Sequence, residues 1–179
     1  EIQEVGFSLY ARMLDRAVRR LKAGKAMDLE AADVSTEVNL HVPALLPASY
    51  CSDVQERLSL YKRLADADSR EALDALREEL VDRFGELPEA ARALLECHRV
   101  RVAARPLGIA RVDATHEAVQ LQFVKNPPID GAKIVDFIRK KGRQARLAGP
   151  EKLRVEAKMP AWQERAQAVQ EILKQLSVE

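Results

Sequence analysis

Three histidines, two cysteines and two clusters of charge are the residues of this 179-residue chain whose side chains could do chemistry. His41, His98 and His116 lie far apart in the sequence, as do Cys51 and Cys97. Cys97 and His98 are adjacent, but neighbouring residues on a helix point about 100° apart, so the pair does not converge on one metal ion. Cys51 precedes the start of a predicted helix, where a thiolate is favoured. With no histidine placed to activate it, Cys51 reads as an inert or merely reactive surface thiol. His41 falls on the polar side of a predicted strand and reads as solvated. There is no G-x-x-x-x-G-K-[ST] phosphate loop, no G-x-S-x-G elbow and no H-E-x-x-H metal pair. The residues therefore point to no catalytic set, no cofactor and no metal, and the expectation is a chain that is not itself an enzyme.

The charged clusters suit recognition instead. Glu78, Glu79 and Asp82, with Glu71 and Asp74 shortly before them, fall in one predicted helix. Leu76, Leu80 and Phe84 set its buried direction, which places Glu79 about 100° and Asp82 about 160° away from the core. Residues three apart are neighbours on a helix surface, so Glu79 and Asp82 are expected to share an exposed strip. Two readings stand for that strip: a solvated face, or a docking surface for an arginine-bearing partner through charge-assisted hydrogen bonds. Arg139, Lys140, Lys141 and Arg143, followed by Arg146, form a basic cluster, with Arg16, Arg19 and Arg20 far upstream. It fits phosphate contacts. It equally fits an ordinary helix C-terminus, where cations complement the macrodipole. No aromatic is interleaved with it, so stacking on single-stranded bases is not indicated.

The elements that must position these groups follow from periodicity. Val5, Leu9, Leu14, Val18 and Leu21 predict a helix over residues 2–22, closed near Gly24. Val38, Leu40 and Val42 alternate with polar residues, predicting a strand ended by Pro43. Ser52 and Gln55 read as a capping box for a helix whose face is Val54, Leu58, Tyr61 and Leu64. Ser69 opens the next, with stripe Leu73, Leu76, Leu80 and Phe84, and Gly85 stops it. Leu87-Pro88 opens a third, running to about Arg105. Two strands follow, near 109–113 and at Val119, Leu121 and Phe123. A short helix carries Ile134 to Ile138. A hairpin turns at Gly149-Pro150, and a final helix presents Trp162, Ala166, Val169, Leu173 and Leu176. The expected fold class is α+β, N-terminal helices followed by a small, mostly antiparallel sheet packed with helices.

Composition narrows the class further. The formal net charge is only +1, from 29 basic and 28 acidic residues, whereas a dedicated nucleic-acid binder usually carries a basic excess. No apolar run is long enough to span a membrane. Two cysteines without a pairing pattern fit reduced thiols and a cytoplasmic setting. The chain opens without an initiator methionine and without a signal-peptide pattern, which reads as a fragment of something longer.

Leu58-Ser59-Leu60-Tyr61-Lys62-Arg63 and Glu79 through Pro88, together with Pro43 to Pro47 and Leu107-Gly108-Ile109, resemble segments of the C-terminal domain of bacterial transcription-repair coupling factors. Glu4 through Tyr10 resembles the segment that ends the translocase motor in that family. The resemblance is strongest between about residues 36 and 112. It implies two regions: 1–34, a helical segment and linker leaving the motor, and 35–179, a C-terminal regulatory domain. It also implies a parent that is an ATP-driven DNA translocase, which displaces stalled RNA polymerase and recruits the repair protein UvrA. In that family the C-terminal domain folds back on the N-terminal UvrA-binding region and masks it, an intramolecular partnership. Carried over by motif, Glu79 and Asp82, flanked by Glu78, match the acidic docking positions. The alternative is a nucleic-acid-binding accessory module of the same motor, contacting phosphates through Arg139, Lys140, Lys141 and Arg143.

Overall fold

The computed structural model describes Ser35–Ser177. The predicted first helix, with Gly24, Arg16, Arg19, Arg20 and the Glu4–Tyr10 segment, lies outside the described residues. Five α-helices and a five-stranded mixed sheet are formed among the described residues, so the α+β class holds. They part into two compact units: Val42–Arg99, and Ser35–His41 with Val100 onward.

The first unit is helical. Helix α1 (Val54–Asp66) starts one residue later than the capping box predicts, because Asp53 rather than Ser52 is the cap: its carboxylate accepts from the Gln55 amide at 3.0 Å. Asp53 sits one position nearer the free amides of the first turn, and an aspartate there also complements the helix dipole. The shift leaves Val54 exposed on the first turn. The buried face is Leu60, Tyr61 and Leu64, rather than one beginning at Val54 and Leu58. Helix α2 (Arg70–Phe84) is capped by the Ser69 hydroxyl, which accepts from Ala72 N at 3.1 Å, and buries Leu73, Leu76 and Leu80. It ends at Gly85, whose φ of +92° favours a residue without a Cβ. Helix α3 (Glu89–Ala104) follows Pro88, whose carbonyl accepts from the amides of Ala91 and Arg92. Proline costs nothing at that place, since its amide would be unpaired anyway.

The segment before α1 is part of this core. Ala44, Leu46 and Cys51 are buried, and Leu46 N donates to the Tyr61 hydroxyl at 2.8 Å. The Tyr50 hydroxyl reaches the carbonyls of Leu80 and Gly85 at 3.0 and 2.8 Å, and its ring meets Phe84 at 5.5 Å. Cys51 is thus not a surface thiol, because the proline-bracketed loop folds it inward with Tyr50.

The second unit is built on the sheet. Strands β1 (Glu37–Asn39), β2 (Ile109–Ala114), β3 (Ala118–Phe123), β4 (Ala145–Leu147) and β5 (Lys152–Glu156) lie in the order β1-β2-β3-β5-β4. Only β1 and β2 run parallel. Val38, Val112, Val119, Leu121, Leu153 and Val155 point to one face and are buried. Helices α4 (Gly131–Lys141) and α5 (Trp162–Ser177) supply the opposing apolar stripe, α5 against β2 and β3, α4 against β4. At α5 that stripe is Trp162, Ala166, Val169, Leu173 and Leu176, as the periodicity predicts, with Ile172 added.

The predicted first strand ends early, at Asn39 instead of Pro43. His41 adopts φ +56°, and its amide is taken by the Asn39 side chain at 2.8 Å. The carbonyls of Leu40 and His41 are claimed by the Arg165 guanidinium at 2.9 and 3.3 Å, which also bonds Met159 and Pro160. His41 is not merely solvated either: its Nε2 lies 2.6 Å from Asp113 Oδ1. No described helix is long and apolar enough to cross a membrane.

Candidate docking site

Helix α2 carries Glu71, Asp74, Glu78 and Asp82 at spacings of three, four and four, which on a 3.6-residue helix form one acidic ridge. Glu78 and Asp82, four apart, are exposed and make no ion pair among the described residues. Val81, 37% exposed, stands beside them and adds an apolar contact to the ridge. Asp74 is held by Arg99 of α3 at 2.9 Å.

Glu79 does not share this ridge, contrary to the exposed strip expected for it with Asp82. Its carboxylate turns toward α1 and accepts two bonds of 2.7 Å from the Arg63 guanidinium, one on each oxygen. Arg83, one turn on, adds a third bond at 3.1 Å and also pairs with Glu56. The physical reason is the angle: about 100° from the core direction places a side chain at the rim of the helix contact, within reach of the neighbouring helix. The Arg63 bonds hold the Glu79 carboxyl below its usual range, and the same bonds raise Arg63. Glu79 is therefore a strut between α1 and α2, which stiffens the ridge that Glu78 and Asp82 present. Arg63 was not singled out from sequence; only the Glu79–Arg83 spacing of four was there to be read.

The basic cluster lies in the other unit. Arg139 pairs with Asp136, and Lys141 sits 5.8 Å over the Phe137 ring. Lys140 is exposed at the end of α4, and Arg143 is exposed in the short 3-10 turn, Gly142–Gln144, that leads into β4. The two clusters reflect a wider segregation that the near-neutral total conceals. Val42–Arg99 carries 8 Arg and Lys against 12 Asp and Glu, a net −4. Ser35–His41 with Val100–Glu179 carries 15 against 10, a net +5. Cys97 and His98 are both buried in α3, and burial pushes the Cys97 thiol up to about 12. Cys51 and Cys97 are free thiols. Among the described residues no three His, Cys, Asp or Glu side chains are grouped to hold a metal ion.

An acidic helical unit followed by a basic, sheet-based one defines an α+β module whose outstanding surface features are charged faces. The TRCF domain family matches residues 40–134. The chain is 40% identical over 155 residues to the transcription-repair-coupling factor of Haemophilus influenzae, covering 86% of this chain and 14% of that protein. It is 35% identical over 176 residues to that of Escherichia coli, covering 98% of this chain and 15% of the other. Among solved structures, the crystal structure of the C-terminal domain of transcription-repair coupling factor shares the fold. Its TM-score is 0.64 and its identity 24%, over 79% of this chain and 94% of that one. The chain belongs to the transcription-repair-coupling-factor family and shares the fold of that crystallised C-terminal domain.

Proposed function

We propose that this domain is a non-catalytic lock, which docks its acidic α2 ridge on a basic surface of the UvrA-binding region of the longer protein and masks it. The observation that carries the reading is the Glu78–Asp82 pair: two exposed carboxylates without ion partners among the described residues, on a helix braced by the Glu79–Arg63 strut. The net −4 of the helical unit adds longer-range attraction to a basic partner. Motor activity on DNA and contact with RNA polymerase belong, in this reading, to regions outside the chain. Moving a lock from 99:1 closed to 99:1 open takes about 5.5 kcal/mol of differential binding. A few charge-assisted hydrogen bonds at roughly 1.5–3 kcal/mol each lie in that range.

The test is UvrA capture by the full-length protein. Glu78→Lys with Asp82→Lys is expected to expose UvrA binding as a deletion of residues 35–179 does. If the deletion exposes binding and the double reversal does not, the ridge is the wrong face. If neither does, there is no lock.

A further inference from the structure

The face of the sheet opposite α4 and α5 is lined by polar side chains in two cross-strand rows. One runs Glu37, Arg111, Gln122, Lys152 and the other Asn39, Asp113, Gln120, Arg154, Arg146. We propose that this face is a phosphate-binding surface that takes the backbone of a nucleic-acid duplex.

The carboxylates near the rows are largely committed. Asp113 is engaged by His41 at 2.6 Å, Glu156 lies 3.8 Å from Arg154, and Glu37 sits at the β1 end of its row. Arg111 and Lys152 are exposed and carry no ion pair among the described residues. They flank Gln122 from the strands on either side, roughly 10 Å apart at the backbone by ordinary strand spacing. Two long cationic side chains at that separation can close on one phosphate group from both sides. A recess of about 190 Å³ lies there, lined by Arg111, Asp113, Gln120, Leu121, Gln122 and Lys152.

A second observation points the same way. Arg154 stands directly opposite Arg146 on adjacent strands, an arrangement that repels. The buried Arg154 Nε makes no hydrogen bond, the Glu156 carboxylate standing 3.8 Å from it. An anion shared by the two guanidinium groups would relieve the repulsion. The chemistry of the occupant follows from what the rows lack. Neither has an aromatic on which single-stranded bases could stack. Neither has an apolar anchor of the kind that seats a peptide side chain. Guanidinium, ammonium and carboxamide donors on a broad face suit phosphates, which are read for position rather than sequence. This surface is distinct from the cations at the end of α4, and the proposal does not rest on the lock.

The test is fluorescence anisotropy of the 179-residue chain with a labelled short duplex of arbitrary sequence. Binding at about 50 mM salt should fall steeply as salt rises, because counterions are released. Arg111→Gln with Lys152→Gln, checked for unchanged circular dichroism, should weaken binding at least tenfold. If the two cations close on one phosphate, the log–log salt slope becomes shallower by about 0.9. Polyglutamate of matched charge should compete poorly. The proposal is overturned if the wild-type chain shows no binding at low salt, or if polyglutamate competes as well as duplex. It is equally overturned if Lys140→Gln, Lys141→Gln and Arg143→Gln together abolish binding while the Arg111 and Lys152 changes leave it intact.

Discussion

Replacing Glu79 by lysine should destabilise the helical unit, whereas the same change at Asp82 should not. The wild-type carboxylate holds Arg63 through two bonds of 2.7 Å and Arg83 through one of 3.1 Å, at 33% side-chain exposure. Partly exposed pairs contribute about 0.2–1 kcal/mol each, so losing both costs about 0.4–2 kcal/mol. The new ammonium then faces two guanidinium groups, and like charges near 4 Å repel by about 1 kcal/mol each in water, less as the lysine swings outward. The expected loss is about 1–3 kcal/mol for Glu79→Lys. For Asp82→Lys, exposed and without an ion partner among the described residues, it is under about 0.5 kcal/mol. Urea unfolding followed by circular dichroism measures both. At about 1 M salt, where screening acts within about 3 Å, the gap between the variants should narrow. Glu79→Gln adds a pH test. Because the folded-state carboxyl is held below its ordinary value, the stabilisation is fully present above the unfolded-state pKa and is lost as pH falls through the lowered folded value. Wild type and Glu79→Gln should therefore differ at neutral pH and converge in acid. Equal stability of Glu79→Lys and Asp82→Lys at low salt would refute the strut, and would return Glu79 to the docking surface.

Leu80→Ala and Leu76→Ala, 1% and 6% exposed, should each cost about 2–5 kcal/mol in the same titration. A change below about 1 kcal/mol would mean that α2 does not bury this stripe. Gly108→Ala should destabilise the sheet unit by at least about 2 kcal/mol, because φ is +73° and a Cβ would come within 2.6 Å of Pro128 Cδ and 3.0 Å of Pro127. A melting temperature equal to wild type would contradict that close approach. In the folded protein both cysteines should resist a thiol reagent at pH 8 and react fully in denaturant. Both are buried, and the Cys97 thiol is raised to about 12. Rapid labelling of the native chain would show that the loop carrying Cys51 opens.

The sequence alone determined what rests on local periodicity and punctuation. The three helices of the first unit, the Ser69 cap, the Gly85 stop, the Gly149-Pro150 hairpin and the apolar face of α5 are properties of residues close in the chain. Their chemistry is complete within a turn or two. The resemblance to the coupling-factor family likewise needed only ordered segments. Tertiary structure decided whatever depends on a partner distant in sequence. Strand β1 stops at Asn39 because Arg165, far along the chain, claims the next carbonyls. Cys51 goes inside because its loop folds with Tyr50 onto α2. A helical wheel sets Glu79 nearer the core direction than Asp82, but only the approach of Arg63 from the neighbouring helix makes it a strut. The two cross-strand rows also exist only once five strands from separate stretches are set in register. Side chains one strand apart in space can be tens of residues apart in sequence, and no local pattern encodes that distance.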